Sequence, residues 1–206
     1  MRFSISSIAA VLVIGVAGTV APVQASAAPV TRDFDNFSSP PVTCCYATSP
    51  INVAIYADLT VSGGASGRVM NSSGWANLQT SGDNLFGSMD GFIDFFFTAP
   101  VSGLNFDLIN GIRENSSLTV SYFDTANALL ETDVVNLTAY LTPGSVMNVT
   151  GNAANIARAR ITSANNFAVD TINFDAEATS VPEPASIALL GITALGLGLS
   201  RRRRKQ

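Results

Sequence analysis

The chain has 206 residues, 11 Lys+Arg against 15 Asp+Glu, and no histidine. The missing histidine excludes Ser-His-Asp and Cys-His catalytic arrangements. Much of the 47% hydrophobic content lies in two apolar ends, and the length between them suits one domain with a real core.

Met1-Arg2, the Ser-rich stretch Ser4 to Ser7 and an apolar run from Ile8 to Val16 lead to Ala25-Ser26-Ala27. A short apolar run followed by a small-x-small site reads as a secretory signal peptide, residues 1–27, not as a spanning helix. This implies the Sec machinery and signal peptidase as partners. The expected cut follows Ala27, with Ala25 the alternative, because a cut after Ala28 would place Pro29 directly behind the scissile bond.

Without its two ends the body keeps five cations, Arg32, Arg68, Arg113, Arg158 and Arg160, and fourteen acids, for a net charge near −9. Such a surface is poorly suited to neutralising phosphates, so nucleic acid is not an expected partner. Cys44 and Cys45 are adjacent and have no other cysteine to pair with. An intermolecular bond, a strained vicinal bond, free thiols and plain loop residues all remain open for them.

Residues 28–176 carry no helix-period segment of useful length. Short β-branched and aromatic runs are instead separated by Gly, Asn, Ser, Asp and Pro. The expected strands are Thr31–Phe37, Ile51–Val61, Gly67–Met70, Gly91–Thr98, Gly103–Leu108, Ser117–Phe123, Leu129–Leu137, Val146–Val149, Ile156–Thr162 and Phe167–Asp175. Phe92 to Phe97 is apolar on both faces apart from Asp94 and predicts a central strand covered on both sides. In the last run, Phe167 and Val169 share one parity while Ile172 and Phe174 share the other. A strand has period 2, so a bulge or sheet crossing is expected at Asp170-Thr171. The fold class is all-β, an antiparallel two-layer β-sandwich of jelly-roll type.

Three groups of side chains could carry chemistry. Asp33, Asp35, Asp170 and Asp175 fall on the first and last strands, where gathered carboxylates would supply oxygen ligands to a structural Ca²⁺; the plainer reading is solvated edge acids. Asp90, Asp94 and Glu114 are the acids from which a glycan hydrolase would draw its pair of carboxylates. Trp75, set among Asn71 and Asn77 in a Gly/Ser/Asn-rich loop, is the best ring for stacking on a sugar. The alternative is that it plugs one end of the sandwich.

Residues 177–180 are a linker into the tail, residues 181–206. Val181-Pro182-Glu183-Pro184 is extended because neither proline fits a regular helix interior. Residues 185–200 are sixteen uncharged residues, roughly 24 Å of helix, which reaches spanning length with its flanks and snorkelling arginines. Arg201, Arg202, Arg203, Arg204 and Lys205 resist translocation, holding the tail (201–206) in the cytoplasm and the body outside, anchored at the inner membrane; on physics alone, cleavage at the extended Val181 to Pro184 and an anchor that is never cut both remain open.

The order Val181-Pro182-Glu183-Pro184, Leu189-Leu190-Gly191, Leu195-Gly196-Leu197-Gly198 and Arg201 to Lys205 resembles the PEP-CTERM sorting signal. That resemblance implies recognition of the Pro-Glu-Pro element by exosortase, removal of helix and tail, and release to the cell surface or extracellular matrix of an exopolysaccharide-producing bacterium. Phe92–Phe97 with Pro100 to Phe106, Leu118 to Asp124, and Phe167 to Phe174 resemble exported β-sandwich bodies similar to carbohydrate-binding modules of jelly-roll fold. There the turn after the Tyr122–Asp124 strand carries Asp/Asn-Gly, and here it reads Thr125-Ala126-Asn127. The expectation is a non-catalytic structural or adhesive protein of the cell surface or matrix, whose sharper form binds exopolysaccharide with Trp75, Asn71 and Asn77 as contacts. A secreted glycan hydrolase is the alternative.

Overall fold

Alternating apolar side chains generate most of the architecture, and their parity decides which faces meet. A computed structural model of the chain describes residues 28–37, 51–75, 78–89 and 91–176, all within the unit Ser26–Thr179. The signal peptide (1–27), Cys44-Cys45, the linker (177–180) and the tail with its helix (185–200) lie outside the described residues. Among those described, no helix is long and apolar enough to cross a membrane.

The strands are β1 (Ala28–Arg32), β2 (Val53–Ile55), β3 (Leu59–Ser62), β4 (Arg68–Asn71), β5 (Asn84–Ser88), β6 (Phe92–Asn110), β7 (Ser116–Phe123), β8 (Leu129–Leu137), β9 (Val146–Thr150), β10 (Ile156–Thr162) and β11 (Phe167–Ala176), with a short 3₁₀ turn at Ser72–Trp75. Every pair of these strands is antiparallel. β6 is 19 residues long and belongs to both layers. Its first half pairs with β3 and β10, continuing through β7 to β8, while β2 flanks β3. Its second half pairs with β9 on one side and β11 on the other.

The bend between the halves falls at Pro100 to Gly103, where Gly103 takes φ +60°, a conformation a side chain would strain. The two halves then face each other. Phe95 of the first meets Phe106 of the second edge to face, with centroids 5.1 Å apart, and Phe97 meets Phe174 at 5.0 Å. Phe95 and Phe106 are fully buried, and such edge-to-face pairs add about 0.5–1.5 kcal/mol beyond area burial.

β11 changes parity as its sequence requires. Phe167, Val169, Ile172 and Phe174 are all buried. Thr171 takes φ +45° and the register with β6 shifts between Asp170 and Asn173. The expected bulge at Asp170-Thr171 is therefore present. β5 pairs with β11 before it and β1 pairs after it, so first and last strands are neighbours.

Several boundaries differ from expectation. The segment 51–61 is a hairpin of two strands, turned at Tyr56 to Asp58 by the Tyr56 N–H donating to the Leu59 carbonyl (2.8 Å). The first strand ends at Arg32, before the turn around Phe34. β5 has no counterpart in the expected set. The turn after β7 works without glycine because Asn127 takes φ 60° and the Asp124 carboxylate accepts from the N–H groups of Ala126 and Ala128. Phe92 to Phe97 is central within its sheet, but only its odd-numbered side chains meet the other layer. Phe96 is 42% exposed.

β1 is tied to the turn of the β2–β3 hairpin by the Arg32–Asp58 ion pair. The hydrogen bond from Arg32 holds the Asp58 carboxyl below the usual carboxylate range. A group depressed in the folded state contributes stability above the unfolded pKa and loses it as pH falls through the folded value. Asp58→Asn is thus expected to be less stable than the native protein near neutral pH, with the gap closing below about pH 4. Denaturant midpoints across that range check this; a gap independent of pH contradicts it.

Candidate functional site

Strand pleating sets the outward side chains of β3, β6, β10, β7 and β8 in rows across the first layer. One row is Ser62, Asp94, Arg160, Ser121 and Thr132, and the next is Thr60, Phe96, Arg158, Phe123 and Leu129. Asp94 stands on this outer face yet is only 3% exposed, because two guanidinium groups lie over it. Arg160 donates from Nε and Nη2 to the two carboxylate oxygens at 2.8 and 2.5 Å. Arg158 adds an ion pair at 3.3 Å whose Nε makes no well-aligned hydrogen bond.

The same arginines stack on aromatic rings. Arg158 lies 4.4 Å from the Phe123 centroid and 5.9 Å from that of Phe96, and Arg160 lies 4.8 Å from that of Phe92. Arg158 also donates to the Asn127 side chain at 2.8 Å. Each cation–π contact is worth about 0.5–1 kcal/mol at such partly exposed sites. The result is a rigid patch of two oriented guanidinium groups and the open ring of Phe96, bordered by Ile55 (68% exposed) and Leu129 (60%).

The residues singled out from the sequence land elsewhere. Trp75 is 5% exposed and packs with Met70, Leu85, Ile109 and Ala168, edge-on to Tyr140. A Cβ at Gly111 would come 2.4 Å from the indole Cη2. The ring is an end plug, and no face is left open for a pyranose, which corrects the expectation of a sugar platform there. Asn71 accepts from the N–H of Ser73 at the start of the 3₁₀ turn, and Asn77 lies outside the described residues.

The four aspartates are occupied by the backbone or spread apart. Asp170 is fully buried and accepts from the N–H groups of Thr80, Ser81 and Thr171 and from the Ser81 hydroxyl, at 2.7 to 3.0 Å. Burial nevertheless pushes its carboxyl above the ordinary range. Asp35 accepts from the N–H groups of Asp83 and Asn84, and Asp33 from that of Asp35. Asp175 lies against Gly103. Among the described residues no group of three or more acidic, cysteine or histidine side chains is placed to hold a metal ion.

Of the acids considered for hydrolysis, Asp94 has both oxygens held by guanidinium groups. Glu114 lies in the exposed loop between β6 and β7, and Asp90 lies outside the described residues. Phe92, Phe96, Phe123, Arg158 and Arg160 were not singled out from the sequence. The available signal was shared parity: Phe92, Asp94 and Phe96 point one way on one strand, and Arg158 and Arg160 do so on another.

Comparison with protein families matches residues 180–204 to the PEP-CTERM protein-sorting motif. The chain carries a sorting signal. The match takes in Val181, Pro182, Glu183 and Pro184 and the arginines 201 to 204, and the motif marks an exported, exosortase-processed protein. A search of curated proteins found no match.

Among solved structures, an arabinose-bound α-L-arabinofuranosidase shares 11% identity over 61% of this chain at a TM-score of 0.38, and this chain spans only 25% of its length. A DUF4465 family protein from Bacteroides caccae shares 12% identity over 73% of this chain and 100% of its own, TM-score 0.41. A family 6 carbohydrate-binding module shares 12% over 58% of this chain and 83% of its own, TM-score 0.32. Likenesses this distant carry no argument about ligand or activity.

The arrangement around Asp94 yields a direct test. Arg160→Ala leaves a buried carboxylate with one poorly aligned partner and is expected to cost about 2–4 kcal/mol, read as a lower urea midpoint with unchanged slope. Asp94→Asn, which removes the charge itself, is expected to cost less. Equal stability of Arg160→Ala and the native protein contradicts this account of Asp94.

Proposed function

We propose that the protein is an exported, exosortase-processed, non-catalytic component of the cell surface or extracellular matrix that binds exopolysaccharide through the outer face of its first layer. The observation that carries the reading is the Phe92–Asp94–Phe96 and Arg158–Arg160 constellation. Guanidinium groups pinned by a buried carboxylate and by aromatic rings are pre-organised, so little side-chain entropy is lost when they engage a ligand. Planar guanidinium donors match carboxylates, and the Phe96 ring offers an apolar face for sugar C–H groups. Uronate-bearing polysaccharide fits best, because the face has a local excess of one positive charge and the more distant acids of the body are screened beyond about 8 Å at physiological salt.

The sorting motif supports the route: export with signal peptidase and the Sec machinery as partners, transient anchoring at the inner membrane by residues 185–200, then exosortase cleavage beside Val181 to Pro184. Mass spectrometry of the protein recovered from the cell surface is expected to find an N-terminus at Ala28 and a C-terminus near the Pro-Glu-Pro element, without the basic tail. Recovery of the intact 206-residue chain from the cytoplasm contradicts the route.

The binding reading is tested separately. Retention on polygalacturonate is expected to weaken about five- to tenfold in Phe96→Ala, to fall with added salt, and to leave thermal stability nearly unchanged. Retention indifferent to Phe96 contradicts the assignment of the face.

A further inference from the structure

Past the arginines, the outer face of the first layer continues along β7 and β8 in side chains of a different kind. The outward residues of β7 are Ser117, Thr119 and Ser121, and opposite them on β8 stand Asn136, Val134 and Thr132. From the level of Phe123 to that of Ser117 the strand rises roughly 20 Å. At the far end is a groove of about 400 Å³ lined by Asn115, Ser116, Ser117, Asn136, Leu137 and Thr138.

Charge is sorted by parity on these strands. The two acids of β8, Glu131 and Asp133, pair with Tyr122 and Val120, whose side chains are fully buried, so both acids belong to the inward set. Glu131 is engaged there by the N–H groups of Asn152 and Ala153. No outward position of β7 or β8 between Phe123 and the groove carries a charge. The opposite end of the face is different. Just beyond Phe123 the turn after β7 carries Asp124, and Asp58 stands at the same end beside Thr98.

The outward polar groups are unengaged as well as uncharged. Ser117, Thr119, Ser121, Thr132 and Asn136 make no side-chain hydrogen bond with any described residue, and Ser117, Thr132 and Asn136 are exposed. At the arginine end, two guanidinium groups against the single carboxylate of Asp94 leave one positive charge, which one ligand carboxylate balances. An anionic chain held there is repelled by the acids at the near end and has a free path only toward Ser117. Along that path hydroxyl and amide groups both donate and accept, as sugar hydroxyls do, and Val134, 65% exposed, offers methyl groups to sugar C–H faces. A second carboxylate on the path meets no cation.

We propose that the ligand of the outer face is an acidic heteropolysaccharide of sparse charge, with one uronate on Arg158 and Arg160 and the neutral sugars that follow it laid along β7 and β8 as far as the groove at Ser117 and Asn136. The proposal rests on the reading of the arginine–aromatic face given above and adds the spacing of charge along the polymer. A polymer charged at every sugar places carboxylates where the face supplies only neutral groups.

Titration calorimetry of the mature protein with digalacturonate, hexagalacturonate and a gellan octasaccharide, in which three neutral sugars separate successive glucuronates, tests the proposal. The gellan octasaccharide is expected to bind about tenfold more tightly than digalacturonate and more tightly than hexagalacturonate, and to keep that advantage in added salt, which screens charged contacts but not neutral ones. Asn136→Ala and Ser117→Ala, both at exposed positions, are each expected to weaken octasaccharide binding about three- to tenfold. Digalacturonate, too short to reach the groove, is expected to bind both variants as it binds the native protein, whereas Phe96→Ala weakens both ligands. The proposal is overturned if the two groove variants bind the octasaccharide as well as the native protein does, or if hexagalacturonate binds more tightly than the octasaccharide. Failure of the arginine–aromatic reading has a different signature: digalacturonate then does not bind, or binds Phe96→Ala unchanged, and the proposal falls with it.

Discussion

Two-residue alternation within each half of one 19-residue strand, with the inward parity switching from odd to even across the bend at Gly103, is the constraint from which the molecule follows. β6 must supply inner faces to both layers, and it does so by bending at Gly103 and folding Phe95 against Phe106. Once Ile93, Phe95 and Phe97 are committed to the interior, Phe92, Asp94 and Phe96 have no choice but the outside. Core and candidate binding face are thus two readings of the same six residues.

That outward commitment creates an electrostatic demand. An aspartate between two phenylalanines in the middle of a sheet is shielded from water by its neighbours, and an isolated buried carboxylate is costly. β10 meets the demand because its register places Arg160 opposite Asp94 and Arg158 opposite Phe96. The arginines satisfy the carboxylate and cover Phe92 and Phe123, while parts of their guanidinium groups stay in solvent. Stability and the proposed ligand face come from one arrangement, so substitutions at Arg160 are expected to affect both and substitution at Phe96 to separate them.

The bounds of β8 and β10 are legible from the sequence, residue for residue, and the parity switch from Val169 to Ile172 locates the bulge in β11. The failures have physical causes. The turn at Tyr56-Ala57-Asp58 contains no Gly, Pro or Asn and so left no punctuation in the segment 51–61. β5 is buried along its whole length and includes Gly87, so it shows neither alternation nor β propensity. Trp75 sits in loop-like sequence, and only tertiary packing around Gly111 reveals it as a plug. The outer face is hard to read from the sequence because aromatic type argues for the interior at Phe92 and Phe96 while their parity argues against it. The sorting motif was legible because its order of proline pair, apolar run and basic end is read along the chain and depends on no tertiary contact.

The sorting motif marks an exported protein, and in the function proposed above the arginine–aromatic face is what engages polysaccharide. Oxidative footprinting of the mature protein with and without polysaccharide from its own matrix measures this most directly. Protection of the Phe96 and Phe123 side chains at saturating polysaccharide, with the β4 end around Asn71 unchanged, is the predicted result. Unaltered oxidation of Phe96 and Phe123 while the protein is demonstrably bound would contradict the account.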